Sequence, residues 1–234
     1  SEITTVGYYC NPIQYAEHRK TLENVICTAG KFGATHVSTF AGAWEGKPVE
    51  SAYEEFGKVF RELADLAEEK GVKLGIENCL MDGTWEHATC NIGFNPKAWE
   101  VMFEEVKNDN FGLEWEPTHQ MVQLIDPVTE LRKWCKKIVH IHGKDATIDW
   151  DAVRHSGISG AVPFVWHRMP GFGDTNWRDI ISILRSNGYE DDICIEGYHD
   201  PVYSGELEMT GQLHALNYLK WCRGGDFTQT PWEK

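Results

Sequence analysis

Four apolar segments of the chain carry ionisable side chains at the same point in their pattern. In KLGIENC (73–79), Leu74 and Ile76 share one face of an extended chain, and Gly75 and Glu77 share the other. In FGLEWEPTH (111–119), Leu113 and Trp115 oppose Glu114 and Glu116. In IVHIHGKD (138–145), Val139 and Ile141 oppose His140, His142 and Lys144, and in DICIEGYH (192–199), Ile193 and Ile195 oppose Cys194 and Glu196. Glu77, Glu116, His142 and Glu196 therefore stand near the C-terminal ends of four candidate strands. Gathered at one point, three carboxylates and one imidazole would repel unless a divalent cation neutralised them. Oxygen-rich ligation with one nitrogen suits Mn²⁺ or Mg²⁺ first, with Co²⁺ or Zn²⁺ as further options. Four ligands on a six-coordinate ion leave two positions for neighbouring substrate oxygens. Solvated strand ends and a packed core histidine would explain one such strand; four with matching parity favour a site.

The elements needed to position these residues can be read from periodicity. Strands are expected at 4–10, 35–42, 73–79, 111–117, 138–145 and 192–199. Between them lie helical stripes: Leu22, Val25, Ile26 and Ala29 after an Asn11-Pro12 start; Phe56, Val59, Phe60, Leu63 and Ala67; Trp99, Met102, Phe103 and Val106; and Val128, Leu131 and Cys135. Asn176 caps a helix with Trp177, Ile180, Ile181 and Leu184 inward, and Met209, Leu213, Leu216 and Leu219 mark the last one. The stretch 143–175, rich in glycine and proline, reads as irregular. Strict β-α alternation predicts a parallel sheet covered by helices, in one α/β domain over residues 1–234. Open and closed forms both fit, and no GxGxxG follows a strand. In a closed β/α barrel the C-terminal strand ends form the active-site face, where the four ligands would meet.

Lysine plus arginine number 22 against 36 acidic residues, a formal charge of −14. Such a surface repels phosphate backbones and anionic lipid, so nucleic acid and membranes are poor partners and a small molecule is the better one. No apolar run is long enough for a membrane span, and the first residues show no basic region followed by an apolar core. The seven cysteines include no CxxC. Cys27, Cys135, Cys194 and Cys222 sit in apolar patterns, which predicts buried thiols and a cytoplasmic location.

The motifs IEN (76–78), EPTH (116–119), HIHGKD (140–145), PGFGDTNW (170–177) and IEGYHDP (195–201) occur in order along nearly the whole chain. With them the chain resembles the xylose-isomerase-like TIM-barrel superfamily of sugar isomerases and epimerases. The resemblance implies a (β/α)8 barrel, with Glu77, Glu116, His142 and Glu196 as metal ligands and His119 as a substrate contact. Two departures stand out: Glu116 replaces the usual Asp, and Gly83 takes the place of a further Glu that the 3-epimerases carry. The IEN strand is usually the fifth of the barrel, so the first two βα units are expected to be missing from this sequence.

A metal chelated by a carbonyl and an adjacent hydroxyl would stabilise charge on the oxygens of an enediolate, while carboxylates move the proton. The expected activity is a divalent-metal-dependent sugar isomerase or epimerase, with Glu77 and Glu196 as the acid/base pair. Lys144 is expected to stabilise the oxyanion or act as base. His167 and Arg168, before a glycine-rich turn, are candidates for a lid or phosphate contact. The alternative is a lyase or dehydratase acting on a keto-sugar or inosose by the same enolate chemistry, which Gly83 and Lys144 accommodate. A non-catalytic barrel subunit is a further reading, and a homo-oligomer is compatible with all of these. A DNA-repair endonuclease is disfavoured by the charge of −14.

Overall fold

A computed structural model describes residues 2–224. Its main sheet contains six strands in the order β1 (Thr5–Gly7), β2 (His36–Thr39), β3 (Lys73–Glu77), β4 (Phe111–Trp115), β5 (Ile138–Gly143) and β8 (Ile193–Ile195), the first five paired parallel. Each is preceded or followed by helix: α1 (Ala16–Ala29), α2 (Tyr53–Glu69), α3 (Pro96–Glu105), α4 (Pro117–Met121) and α5 (Pro127–Trp134). Tertiary contacts group the chain into two compact units. The first holds the residues up to His142 together with Asp191–Cys194; the second holds Gly143–Glu190 and the residues from Ile195 on.

In the first unit the helices form for legible reasons. On α2, Phe56, Val59, Phe60, Leu63 and Ala67 are all buried. Each of the four larger side chains contributes about 1.5–3 kcal/mol on burial. The chain leaves this helix through Gly71 at φ +69°, a backbone conformation that a Cβ would disfavour. Asn95 and Asp126 cap α3 and α5 by accepting backbone N–H groups, and a proline follows each cap. Asn11 does not serve as such a cap, because α1 starts at Ala16. Its side chain caps the turn before α1, accepting the Gln14 N–H at 3.2 Å, and also binds both the N–H and the carbonyl of Ala43.

Strand β5 departs from simple alternation. Its register against β4 shifts between Leu113 and Glu114, so that Leu113 pairs with Ile138 but Glu114 pairs with His140. Val139 is the extra residue of this bulge. Its methyl groups lie where side chains at Gly75 and Gly112 would project, on the face shared with Glu77 and Glu114, and not beside Ile141 as alternation implied. The two glycines make room for it.

The second unit contains β6 (Asp145–Ile148) paired antiparallel with β7 (Val165–Arg168), and the helices α6 (Trp150–Ser156), α7 (Trp177–Ser186) and α8 (Glu208–Arg223). The stretch 143–175, expected to be irregular, therefore contains two short strands and one short helix among its turns. Two buried carboxylates organise its turns. Asp145 accepts the N–H groups of Ala146, Thr175 and Gly171 at 2.8, 2.9 and 3.1 Å. Asp200 accepts those of Met169, Val202 and Tyr203 at 2.7–2.8 Å. Trp177, Ile180, Ile181 and Leu184 of α7 are buried as expected.

The expected inward face of α8 is corrected. Met209 is 76% exposed, Leu213 and Leu216 are also exposed, and the buried positions are Gly211, Ala215 and Leu219. Small residues allow close backbone approach, here beside Tyr203 and Met169 at Gly211. The cysteine expectation also changes: Cys135 is buried, but Cys27 and Cys194 are exposed and Cys222 is half-buried. Among the described residues, no helix is long and apolar enough to cross a membrane.

Candidate metal centre

Strands β3, β4 and β5 align Glu77, Glu114 and His140 in one row across the sheet. One residue beyond β4, Glu116 occupies the N-cap position of α4 in extended conformation, and Pro117 begins the helix. Asn78 fixes this corner. Its side chain donates to the Glu116 carbonyl at 2.9 Å and accepts the Glu116 N–H at 2.7 Å. Asn91 does the same for β3, donating to the carbonyls of Glu77 and Cys79 while accepting the N–H groups of Ala41 and Gly93. Both amides are buried, so their bonds form without competition from water. Asn78 belongs to the IEN motif, yet parity gave it no role, because its work is done through the backbone.

His142 stands at the centre of the first unit's polar cluster. Its Nδ1 lies 3.1 Å from Glu77 Oε1 and 3.6 Å from Glu116 Oε2, and its Nε2 lies 3.2 Å from Glu114 Oε1. His119, on α4, places Nε2 3.3 Å from Glu116 Oε1. Glu77, Glu116 and His142 each offer a ligand atom within 4.8 Å of the others. Glu116 is fully buried and Glu77 nearly so. Burial pushes Glu77 up to about 7, and the neighbouring Glu116 and Glu114 add to the rise against the opposing pull of His142. Burial works the same way on Glu114, but the hydrogen bond and charge of His142 outweigh it and hold that carboxyl below its ordinary value. Burial lowers His140 to about 4, so this ring is neutral at pH 7. Two acidic groups and an imidazole nitrogen packed at this depth match the donor set of a divalent cation.

The remaining sequence candidates lie in the second unit. Lys144 is 3% exposed and its Nζ lies 3.1 Å from Glu196 Oε1, so it does not form an exterior pair with Asp145. The Glu196 N–H donates to the Gly143 carbonyl at 3.1 Å. Arg168 Nε donates to Asp200 at 3.3 Å, and its guanidinium lies over Phe172. His167 packs edge-on against His199. Both sit on β7 and not in a loose loop. Trp115, on the opposite face of β4, is core, with Nε1 donating to Gln120 at 2.9 Å.

Glu114 escaped the sequence reading as a site residue, although its parity matches that of Glu116. The signal was present: two acidic residues at i and i+2 on a strand share a face.

Residues 2–220 match the profile of the xylose isomerase-like TIM barrel. The chain belongs to that family. Its sheet, with consecutive parallel strands and intervening helices, is that of the TIM-barrel fold. Among curated relatives, an inosose dehydratase of Clostridium tetani is 26% identical over 182 residues, covering 76% of this chain and 57% of that protein. The chain thus spans little more than half the length of that relative. Among solved structures, a xylose isomerase domain protein from Planctomyces limnophilus superposes with a TM-score of 0.72 at 18% identity, covering 95% of this chain and 76% of the other. The IolI protein, solved with a bound zinc atom, gives 0.69 at 20% identity, covering 97% and 77%. These likenesses extend the fold assignment and carry no activity by themselves.

Proposed function

We propose that the protein is a divalent-metal-dependent lyase that removes water from a keto-polyol of the inosose or keto-sugar class. The observation that carries this reading is the buried group of Glu77, Glu116 and His142, with one ligand atom of each within 4.8 Å of the others. Glu196 is the fourth ligand in this reading. Support comes from its strand parity and from the resemblance of IEGYHDP to the family's motif. The ion, Mn²⁺ or Mg²⁺ before Co²⁺ or Zn²⁺, would supply Lewis-acid polarisation of a carbonyl oxygen.

The chain's own residues then handle protons and orientation. Lys144, buried beside Glu196, is the group we assign to remove the proton from the carbon next to the carbonyl. As that C–H bond breaks, a C=C bond forms and the C–O bond at the next carbon breaks. The hydroxyl leaves as water with the proton that Lys144 took up, returned by its ammonium group, so that the net change is the loss of one water. His119, 3.3 Å from Glu116, is the candidate donor to a substrate oxygen. His167 and Arg168 remain candidates for more distant contacts, with Arg168 anchored by Asp200.

Elimination is preferred to epimerisation for two reasons. The curated relative is named for dehydration of an inosose. In addition, position 83, where the resembling 3-epimerases carry a Glu, is tightly enclosed: a Cβ at Gly83 would stand 3.2 Å from the Leu80 carbonyl and 3.3 Å from Thr89.

The test is proton NMR of the protein with a keto-inositol in D₂O, with Mn²⁺ and after chelation. Loss of water from the product, abolished by chelation, is the expected result. Exchange with retained mass would establish the epimerase reading instead, and full turnover without metal would sink both.

A further inference from the structure

Every ligand set needs something to aim it, and His142 has two ring nitrogens facing two different acidic environments. Nδ1 faces Glu77 and Glu116, and Nε2 faces Glu114. Glu114 is itself held. The Tyr9 hydroxyl donates to its Oε2 at 2.9 Å, which leaves Oε1 for His142. Gly7 provides the space for this, since a Cβ there would meet the Tyr9 ring at 2.8 Å. The strand row places His140 Nε2 at 3.9 Å from the same Oε1, and the other nitrogen of that ring contacts Thr5 Oγ1 at 3.3 Å. Glu114, His140 and His142 also come within 4.8 Å of one another. Tyr9 thus holds Oε2 by a hydrogen bond, while Oε1 faces the two imidazoles at 3.2 and 3.9 Å.

We propose that Glu114, locked by Tyr9, is the positioning residue of the metal centre: its Oε1 accepts a hydrogen bond from the Nε2–H of His142 and so turns Nδ1 toward Glu77 and Glu116. With Nε2 directed at Glu114, Nδ1 is the nitrogen placed beside Glu77 and Glu116 to serve as a ligand once a cation takes the place of its proton. A carboxylate behind a ligating histidine fixes the tautomer and ring angle and raises the basicity of the ligand. This inference rests on the metal reading given above, but it concerns a residue that does not touch the ion.

The experiment has two arms, both on the full chain. In the first, ¹⁵N-edited NMR of metal-free protein reads which nitrogen of His142 carries the proton. Nε2–H is expected, and a neutral ring protonated on Nδ1 alone overturns the proposal. In the second, Zn²⁺ and Mn²⁺ affinities are measured against a competing chelator. Glu114→Leu is expected to weaken binding roughly 10–100-fold. Glu114→Gln, which keeps an acceptor, should recover part of that loss, and Tyr9→Phe should cost only a few-fold. Binding by Glu114→Leu within twofold of the unaltered protein overturns the proposal. If Glu114→Leu does not fold, Tyr9→Phe and Glu114→Gln decide in its place. Should the unaltered protein bind neither ion, the metal reading fails, and the NMR arm still decides the role of Glu114.

Discussion

Lys144 Nζ lies 3.1 Å from Glu196 Oε1, with the lysine almost wholly buried and the carboxylate 30% exposed. The pair joins two groups that the sequence separates by 52 residues. Lys144→Met keeps the stem and removes the charge. Turnover should fall by about 10²–10⁴-fold. Stability should fall by only about 1–2 kcal/mol, because water reaches Glu196 and compensates it in part. Steady-state kinetics beside thermal melts check both, and a variant with unimpaired turnover removes Lys144 from the mechanism.

Glu77 controls the pH response of the metal-free protein. Its folded pKa, about 7, lies above the value of 4.5 for a free side chain. The folded state therefore holds the proton more tightly than the unfolded state. The stability associated with that proton is complete below pH 4.5 and is lost as pH rises to about 7. Urea melts of chelated protein should show this decline, and Glu77→Gln should flatten it. Added Mn²⁺ must displace the proton, so stabilisation by metal should grow over the same range.

His140 acts in the opposite sense. Its folded pKa, about 4, lies below the ordinary 6.5, so the unfolded chain takes up the proton first. This ring's contribution is whole above pH 6.5 and disappears as pH falls to about 4. At roughly 1.4 kcal/mol per pKa unit, the effect amounts to a few kcal/mol. His140→Gln melts should lose that acid sensitivity while the Glu77 response persists.

Glu116 stands where the resembling family usually has Asp. Glu116→Asp shortens the arm by one methylene while Asn78 still holds the backbone at 2.7 and 2.9 Å. The variant should fold and bind a divalent ion, with changed preference between Mn²⁺ and Zn²⁺. Glu116→Ala should lose about 10²-fold or more in affinity, comparable with or beyond the loss of an outer partner. Isothermal titration separates these outcomes.

Gly112 of β4 stands where no side chain fits. A Cβ there would overlap the Lys137 carbonyl and the Val139 side chain. Gly112→Ala should cost about 3 kcal/mol or more, because one of the groups in the way is backbone. A melting temperature unchanged within a degree would show that the bulge can shift.

Much of this molecule is written locally in its sequence. Parallel strands follow from β-α alternation, and the polar face of β3 and β4 follows from the two-residue period that puts Gly75 with Glu77 and Gly112 with Glu114. Those features depend only on neighbours along the chain. Three things were decided elsewhere. The bulge at Val139 depends on what faces it across two strands, so alternation within β5 could not reveal it. Burial of α8 through Gly211 and Ala215, and not through Met209 and Leu213, depends on which face its partners approach, and small residues give hydropathy no signal. The engagement of Glu114 by Tyr9 joins residues 105 positions apart. A hydrogen bond of that span exists only once the sheet has formed, because the sequence fixes which groups can bond and folding fixes which of them meet.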